Sequence, residues 1–366
     1  MNTLTKHIAF ALSVGLSLAG GCVRPTEERA ERDLEVGKAE GHGLRLEVSD
    51  GLAAVRRLDA GELVLWSSAP AWQLTLDTEP SAPTDWTVSL ENVLPDVELS
   101  GPGAQVVLLE QKLPTRKMYR VSLPAGARTQ LTLASPDRDD RAKWRFAVMS
   151  DVQEAIDDVH DLYQKVNQVP DVRFLLGAGD LTQQGSPEEL DRFKTELASL
   201  DVPYYTTLGN HELGDDGPAY QDWYGRASFS FVFRGVRFSM LDSASASIDP
   251  LVFDWLDDWL SKGKSSVHIV AMHIPPVDPV GVRNGSFASR NEAAKLLTRL
   301  AKGSVDLTLY GHIHSYYSFD NAGIPAYISG GGGAIPERFD KVGRHFLVVD
   351  VDPEQGIDRV QMVEVD

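Results

Sequence analysis

The sequence predicts an α/β domain preceded by a small all-β sandwich. Three observations carry that prediction: β-prone runs crowd into residues 44–133, strand and helix patterns alternate from Trp144 onward, and metal-binding residue types recur where an apolar run meets a loop. The bounds agree. A chain of 366 residues with 42% hydrophobic and 24% charged residues buries a sizeable core and ordinarily divides into two or three domains. Its formal charge of −18 becomes −19 without residues 1–21, which hold one Lys and no acid. Such a field repels phosphate backbones, so no nucleic-acid partner is expected.

Residues 1–22 read as an export signal. Lys6 and His7 follow a short polar start, residues 8–18 form an apolar run too short to span a bilayer comfortably, and Ala19, Gly20 and Gly21 are small. Cys22, the only cysteine, stands directly after them. This order resembles a bacterial lipoprotein box, although Ala19 holds the place where Leu is usual. The resemblance implies a lipid on Cys22 and a protein anchored in the cell envelope, at the outer membrane or periplasmic face. A plain secretory signal with an incidental thiol is the alternative.

Residues 23–42 are rich in Glu, Arg, Lys and Asp and read as a solvated tether, with a frayed helix over 27–38 as the alternative. Residues 43–136 hold seven β-prone runs, at 44–48, 63–66, 72–76, 86–93, 105–113, 119–123 and 129–133, separated by turn signals such as Asp50-Gly51 and Gly101-Pro102-Gly103. That spacing predicts a sandwich of immunoglobulin or fibronectin type, with Trp66, Trp72 and Trp86 in its core. The charged stretch 137–143 reads as the linker to a domain spanning 144–366.

In that domain the runs 144–149, 172–176, 203–208, 269–272 and 307–310 each end in a short polar block. A helix over 156–168 and one opened by Ser186, Pro187 and Glu189 as a capping box intervene. The blocks are Asp151-Val152-Gln153, Gly179-Asp180, Gly209-Asn210-His211-Glu212, His273, and Gly311-His312-Ile313-His314. Alone, each is a turn or a buried histidine. Together they offer carboxylate, amide oxygen and imidazole from separate strand ends, a donor set that suits divalent or mixed-valence metal ions.

The ordered series resembles the calcineurin-like metallophosphoesterase superfamily, whose motifs run D-x-H, G-D, G-N-H-[DE], H and G-H-x-H. The resemblance implies a four-layer α/β/β/α sandwich and two metal ions, of Fe, Mn or Zn. It implies that Asp180 bridges the ions, that Asp151 and His314 complete one site, and that Asn210, His273 and His312 complete the other. His211 would stabilise the transferring phosphoryl group or protonate the leaving group. A metal-bound hydroxide would attack phosphorus in a monoester or diester. The sandwich ahead of the domain further resembles the purple acid phosphatase branch, but Gln183 stands where that branch carries a Tyr ligand.

Two departures qualify the implied roles. Gln153 replaces the His of the first motif, so its amide oxygen would be a harder and weaker ligand than imidazole. Gln183 and Gln184 replace the Asp-Arg of the protein phosphatases, which removes the usual orienter of the catalytic histidine. A non-catalytic binding or scaffold lipoprotein with a degenerate metal site is the opposing reading. Residues 330–333 are four glycines that either let backbone approach the site or form a tight loop. Substrate selection falls to loops carrying Arg283 and Asn284, Asp215 and Asp216, and Tyr316 and Tyr317. Trp255 and Trp259 read as a helical packing stripe, and His160, His268 and His345 receive no role.

Overall fold

The computed structural model describes residues 25–214, 219–281 and 285–365. The export signal, Cys22, Asp215, Asp216, Arg283 and Asn284 lie outside the described residues. Two five-stranded sheets occupy residues 38–134. One orders Lys38–Gly41, Leu44–Val48, Trp72–Thr78, Arg128–Ala134 and Glu98–Ser100, all antiparallel. The other orders Ala53–Asp59, Glu62–Ser67, Asp85–Glu91, Arg116–Ser122 and Gln105–Leu113, with one parallel pair between its second and third strands.

Period-two alternation makes these strands: Leu44, Leu46 and Val48 enter the core beside Trp72, Leu74 and Trp86, while Arg45 and Glu47 face solvent. The sandwich has ten strands where seven are expected from the sequence. Lys38–Gly41, Ala53–Asp59 and Glu98–Ser100 are the additions, and each is short or interrupted by charge, so backbone pairing rather than an apolar face marks them. Trp66 faces away from the sandwich core and meets Tyr224 edge-on, with ring centroids 5.3 Å apart.

The segment read as a solvated tether is instead docked. Pro25–Asp33 is a helix whose Arg29 Nε donates to Asp242 Oδ2 at 2.7 Å, and whose Asp33 carboxylate accepts from the backbone N–H of Ala227 and Ser228 at 2.9 and 2.8 Å. Arg29 and Asp33 are buried because partners some two hundred positions away in sequence receive them, while Glu27, Glu28 and Glu31 stay exposed.

Beyond residue 143 two mixed sheets face each other. The first orders Tyr204–Thr206, Val172–Gly177, Trp144–Met149, His345–Asp352 and Gly356–Glu364; the second orders Phe229–Phe233, Val236–Leu241, Val267–Met272, Leu307–Tyr310, Ile324–Ser329 and Tyr316–Asn321. Alternate residues of each strand pack on opposite sides. Phe146, Phe174, Phe238, Ile269 and Leu347 meet between the sheets. Ala147, Met149 and Leu175 turn outward onto helices His160–Asn167 and Pro187–Glu196, and Leu241, Val270 and Met272 onto Pro250–Gly263 and Arg290–Lys302. Strands buried on both faces read as continuous apolar runs, which is why 144–149 and 269–272 stand out in the sequence. The result is a four-layer α/β/β/α sandwich. Ser186 caps its helix through the capping box the sequence announces.

Candidate metal centre

Trp144–Met149, Val172–Gly177 and Tyr204–Thr206 run parallel in one sheet, as do Val236–Leu241, Val267–Met272 and Leu307–Tyr310 in the other. Their carboxyl ends deliver all five polar blocks to one place. Asp180 sits at its middle. His273 Nε2 lies 3.1 Å from Asp180 Oδ2 and 3.1 Å from Asn210 Oδ1. Ligand atoms of Asp180, His273 and His312 all fall within 4.8 Å of one another. On the other side, His314 Nε2 lies 3.5 Å from Asp151 Oδ1. Gln153 Nε2 donates to Asp180 Oδ2 at 2.8 Å and lies 3.1 Å from His314 Nε2. The amide nitrogen of Gln153, not the oxygen expected to ligate, therefore faces Asp180 and His314. Ligation through Oε1 requires a half-turn of that amide.

Three histidines are aimed by backbone carbonyls. Each Nδ1 donates to a carbonyl: His273 to Ala178 at 2.8 Å, His314 to Ile335 at 2.7 Å, and His211 to Gln183 at 2.7 Å. That arrangement fixes the tautomer and leaves Nε2 as the working atom. For His211, Nε2 stands 3.8 Å from Asp180 Oδ2. The side-chain orienter that is missing at position 183 is thus replaced by the main chain of the same residue.

Glu212 is the residue whose part the sequence reading leaves unassigned. Fully buried, it accepts from the backbone N–H of Asp180, Leu181, Thr182 and Gly209 at 2.7–3.0 Å and from the Thr182 hydroxyl at 2.9 Å. One carboxylate thereby ties the Gly179-Asp180 turn to the Gly209-Asn210 turn. Its signal in sequence is the Glu after Asn-His. The glycine run does bring backbone to the site: Gly332 N donates to Ser150 O at 2.8 Å, and a Cβ on Gly332 would meet that oxygen at 2.4 Å. Asp151, Gln153, Asp180 and His312 all adopt left-handed backbone, with φ of 64°, 50°, 53° and 70°. Each costs about 1–3 kcal/mol, a concentration of strain found at functional sites.

The electrostatics ask for a cation. Asp151 and Asp180 are essentially inaccessible to solvent. Burial lifts the Asp151 carboxyl above the usual range despite His273 and His314. For Asp180 burial pulls the same way, but His273 and His211 outweigh it and hold the carboxyl well below that range. Burial disfavours charge on His273 too, yet Asp180 and Asp151 push it up to about 9. A site that holds a proton on a buried imidazole between two carboxylates is one where a metal ion can take the proton's place. The donor set, two carboxylates, three imidazoles and an amide oxygen, fits such ions.

The family profile described as Calcineurin-like phosphoesterase matches residues 145–316, a span that contains every one of these donors. Residues 145–316 form a calcineurin-like phosphoesterase domain. Among curated proteins, the chain is 25% identical over 158 residues to a 3',5'-cyclic-nucleotide phosphodiesterase of Nostoc, covering 40% of this chain and 58% of the relative. It is 30% identical over 153 residues to a protein described as a probable cyclic nucleotide phosphodiesterase of Synechococcus, covering 39% and 58%. The chain thus spans little more than half the length of these relatives. Among solved structures, a purple acid phosphatase from yellow lupin (Lupinus luteus) aligns with a TM-score of 0.52 at 14% identity, over 81% of this chain and 70% of that one. That likeness concerns the fold, and its reach includes part of the N-terminal sandwich.

Of the other sequence-flagged residues, Tyr317 donates to Asp340 Oδ2 at 2.6 Å, and Tyr316 packs against Tyr327 and His345. These contacts tie them to both sheets and to the loop around Asp340. Trp255 and Trp259 pack partly against the helix-side core.

Proposed function

We propose that this chain is a two-metal phosphoester hydrolase that favours small phosphodiesters. The observation that carries the reading is the convergence of Asp151, Asp180, Asn210, His273, His312 and His314 around one buried carboxylate, with His211 aimed past it. Asn210, His273 and His312 with Asp180 would hold one ion, and Asp151 and His314 with Asp180 the other. Bound ions would supply Lewis acidity toward phosphate oxygens and lower the pKa of water. The chain's own part is positional. Glu212 fixes the two turns that carry Asp180 and Asn210, and the carbonyls of Ala178 and Ile335 hold His273 and His314 in the ligating tautomer. His211, anchored at Nδ1 to Gln183 O, presents Nε2 to the phosphoryl group or to the leaving oxygen, where it can donate a proton. The phosphodiesterase names of the curated relatives support the diester preference.

Hydrolysis of bis-p-nitrophenyl phosphate and p-nitrophenyl phosphate by protein reconstituted with Mn, Fe or Zn, alongside metal analysis, tests the reading. About two ions per chain and faster diester turnover are expected. Fewer than about one ion per chain, with no turnover above that of Asp180→Asn, would leave the scaffold reading instead.

The order of Lys6, the apolar run, the small residues and Cys22 supports export and lipid anchoring. Among the described residues no helix is long and apolar enough to cross a membrane. Cys22→Ser should move the protein from the membrane fraction to the soluble one; unchanged fractionation counts against the anchor.

A further inference from the structure

A cavity of about 470 Å³ lies between the sandwich and the phosphoesterase domain, lined by Asp50 on one side and by Arg226, Arg237, Trp255, Trp259 and Lys262 on the other. Arg226 passes Gly51 to reach it. A Cβ on Gly51 would stand 2.2 Å from Arg226 Nε, and the backbone there has φ +63°, so glycine is required on both counts. Among the described residues neither arginine has a carboxylate oxygen within 4.0 Å. Among the same residues Arg226 finds no hydrogen-bond partner and Arg237 finds one, Ser230 Oγ at 3.0 Å from its Nη1. The Nε of each is shut off from solvent without a partner. Lys262, by contrast, is matched by Asp258 at 2.6 Å.

Two partly buried guanidinium groups whose Nε atoms lack a partner carry a desolvation cost, and a single ligand oxyanion reaching both would satisfy their forks. Burial lowers the pKa of both, the direction that a bound anion would reverse. Trp255 and Trp259 stand one turn apart with ring centroids 6.4 Å from each other, and they add apolar faces to the same cavity. Asp50, Asp254 and Asp258 also line it, which disfavours a polyanion and favours one anionic head on an apolar body. The place is separate from the metal centre. Arg237 pairs with His268, so it lies five residues, roughly 15 Å of strand, before His273.

The geometry points to a second ligand site at the domain seam, taking an organic anion whose single carboxylate or phosphate-type head is held by Arg226 and Arg237 and whose apolar body lies on Trp255 and Trp259. Titration of the full protein with benzoate and with sulfate, read by tryptophan fluorescence and by thermal unfolding, tests it. Saturable benzoate binding is expected, weakened roughly tenfold or more for both anions in Arg226→Gln/Arg237→Gln. Trp259→Ala should weaken benzoate and leave sulfate unchanged. Asp180→Asn should bind both as wild type does; loss there would assign the anion to the metal centre and overturn the proposal. Absence of a saturable signal, or equal binding by the double variant, overturns it as well. Should the double variant unfold, Arg237→Lys decides. It keeps the charge but not the fork, so several-fold weaker binding supports the site and unchanged binding refutes it.

Discussion

The two halves of the proposed two-metal centre are built on the same plan and equipped differently. Each half takes its residues from strand ends of both sheets and shares Asp180. The half with Asn210, His273 and His312 brings an amide oxygen and two imidazoles close enough that its His273 bonds both Asp180 and Asn210. The half with Asp151 and His314 has an amide N–H, from Gln153, where an imidazole would add a third donor. Identical scaffolding therefore does not guarantee equal affinity. A ligand set is decided atom by atom, and an N–H turned toward a carboxylate competes with a cation for the same oxygen.

The largest expected effect comes from removing what the halves share. Asp180→Asn should lower diester turnover on the order of a thousandfold or more, because several kcal/mol of metal-derived stabilisation goes with the bridging charge; kcat/KM in excess metal checks this. Asn210→Ala should cost about a hundredfold and reduce bound metal by one ion, since it strips the better-supplied half; titration calorimetry with Mn distinguishes it from a folding defect. Two buried histidines extend the comparison outside the centre. Carboxylates push His273 up to about 9, whereas burial, helped by Arg237, pushes His268 down to about 3.

For His268 the unfolded chain binds the proton more tightly than the folded one. Its contribution is therefore complete above about pH 6.5 and is lost as pH falls toward 3, roughly 2 kcal/mol by pH 5. Urea unfolding of His268→Gln should show a flatter decline between pH 6.5 and 5 than wild type; an unchanged slope removes the argument. The smallest effect belongs to the weaker half. Gln153→Ala should change turnover by less than about tenfold, while Gln153→His should tighten the first ion's binding. If Gln153→Ala matches Asn210→Ala, the asymmetry between the halves is wrong.

Much of this was readable before folding. Apolar runs at 144–149, 172–176, 269–272 and 307–310 mark doubly buried strands because such strands need no polar face, and the polar residues after them, Asp151, Gly179-Asp180, His273 and Gly311-His312, mark the strand ends. The docked helix was not readable. Pro25–Asp33 has the composition of a solvated segment, and only Asp242, Ala227 and Ser228 give its buried charges a destination. Nor was the orienting of His211 readable, since the atom that replaces a missing side chain belongs to the backbone of Gln183 and has no residue-type signature.

The sequence by itself determined the fold class, the order of the domains and which residue types stand at which strand ends, because periodicity and local turn chemistry depend on near neighbours alone. Tertiary structure decided which atoms meet: that Glu212 ties two turns with one carboxylate, that the nitrogen of Gln153 faces Asp180, and that Arg226 and Arg237 line one cavity together with Asp50 of the sandwich. Those facts depend on residues tens to hundreds of positions apart, whose distances are set only when the sheets close on a common core.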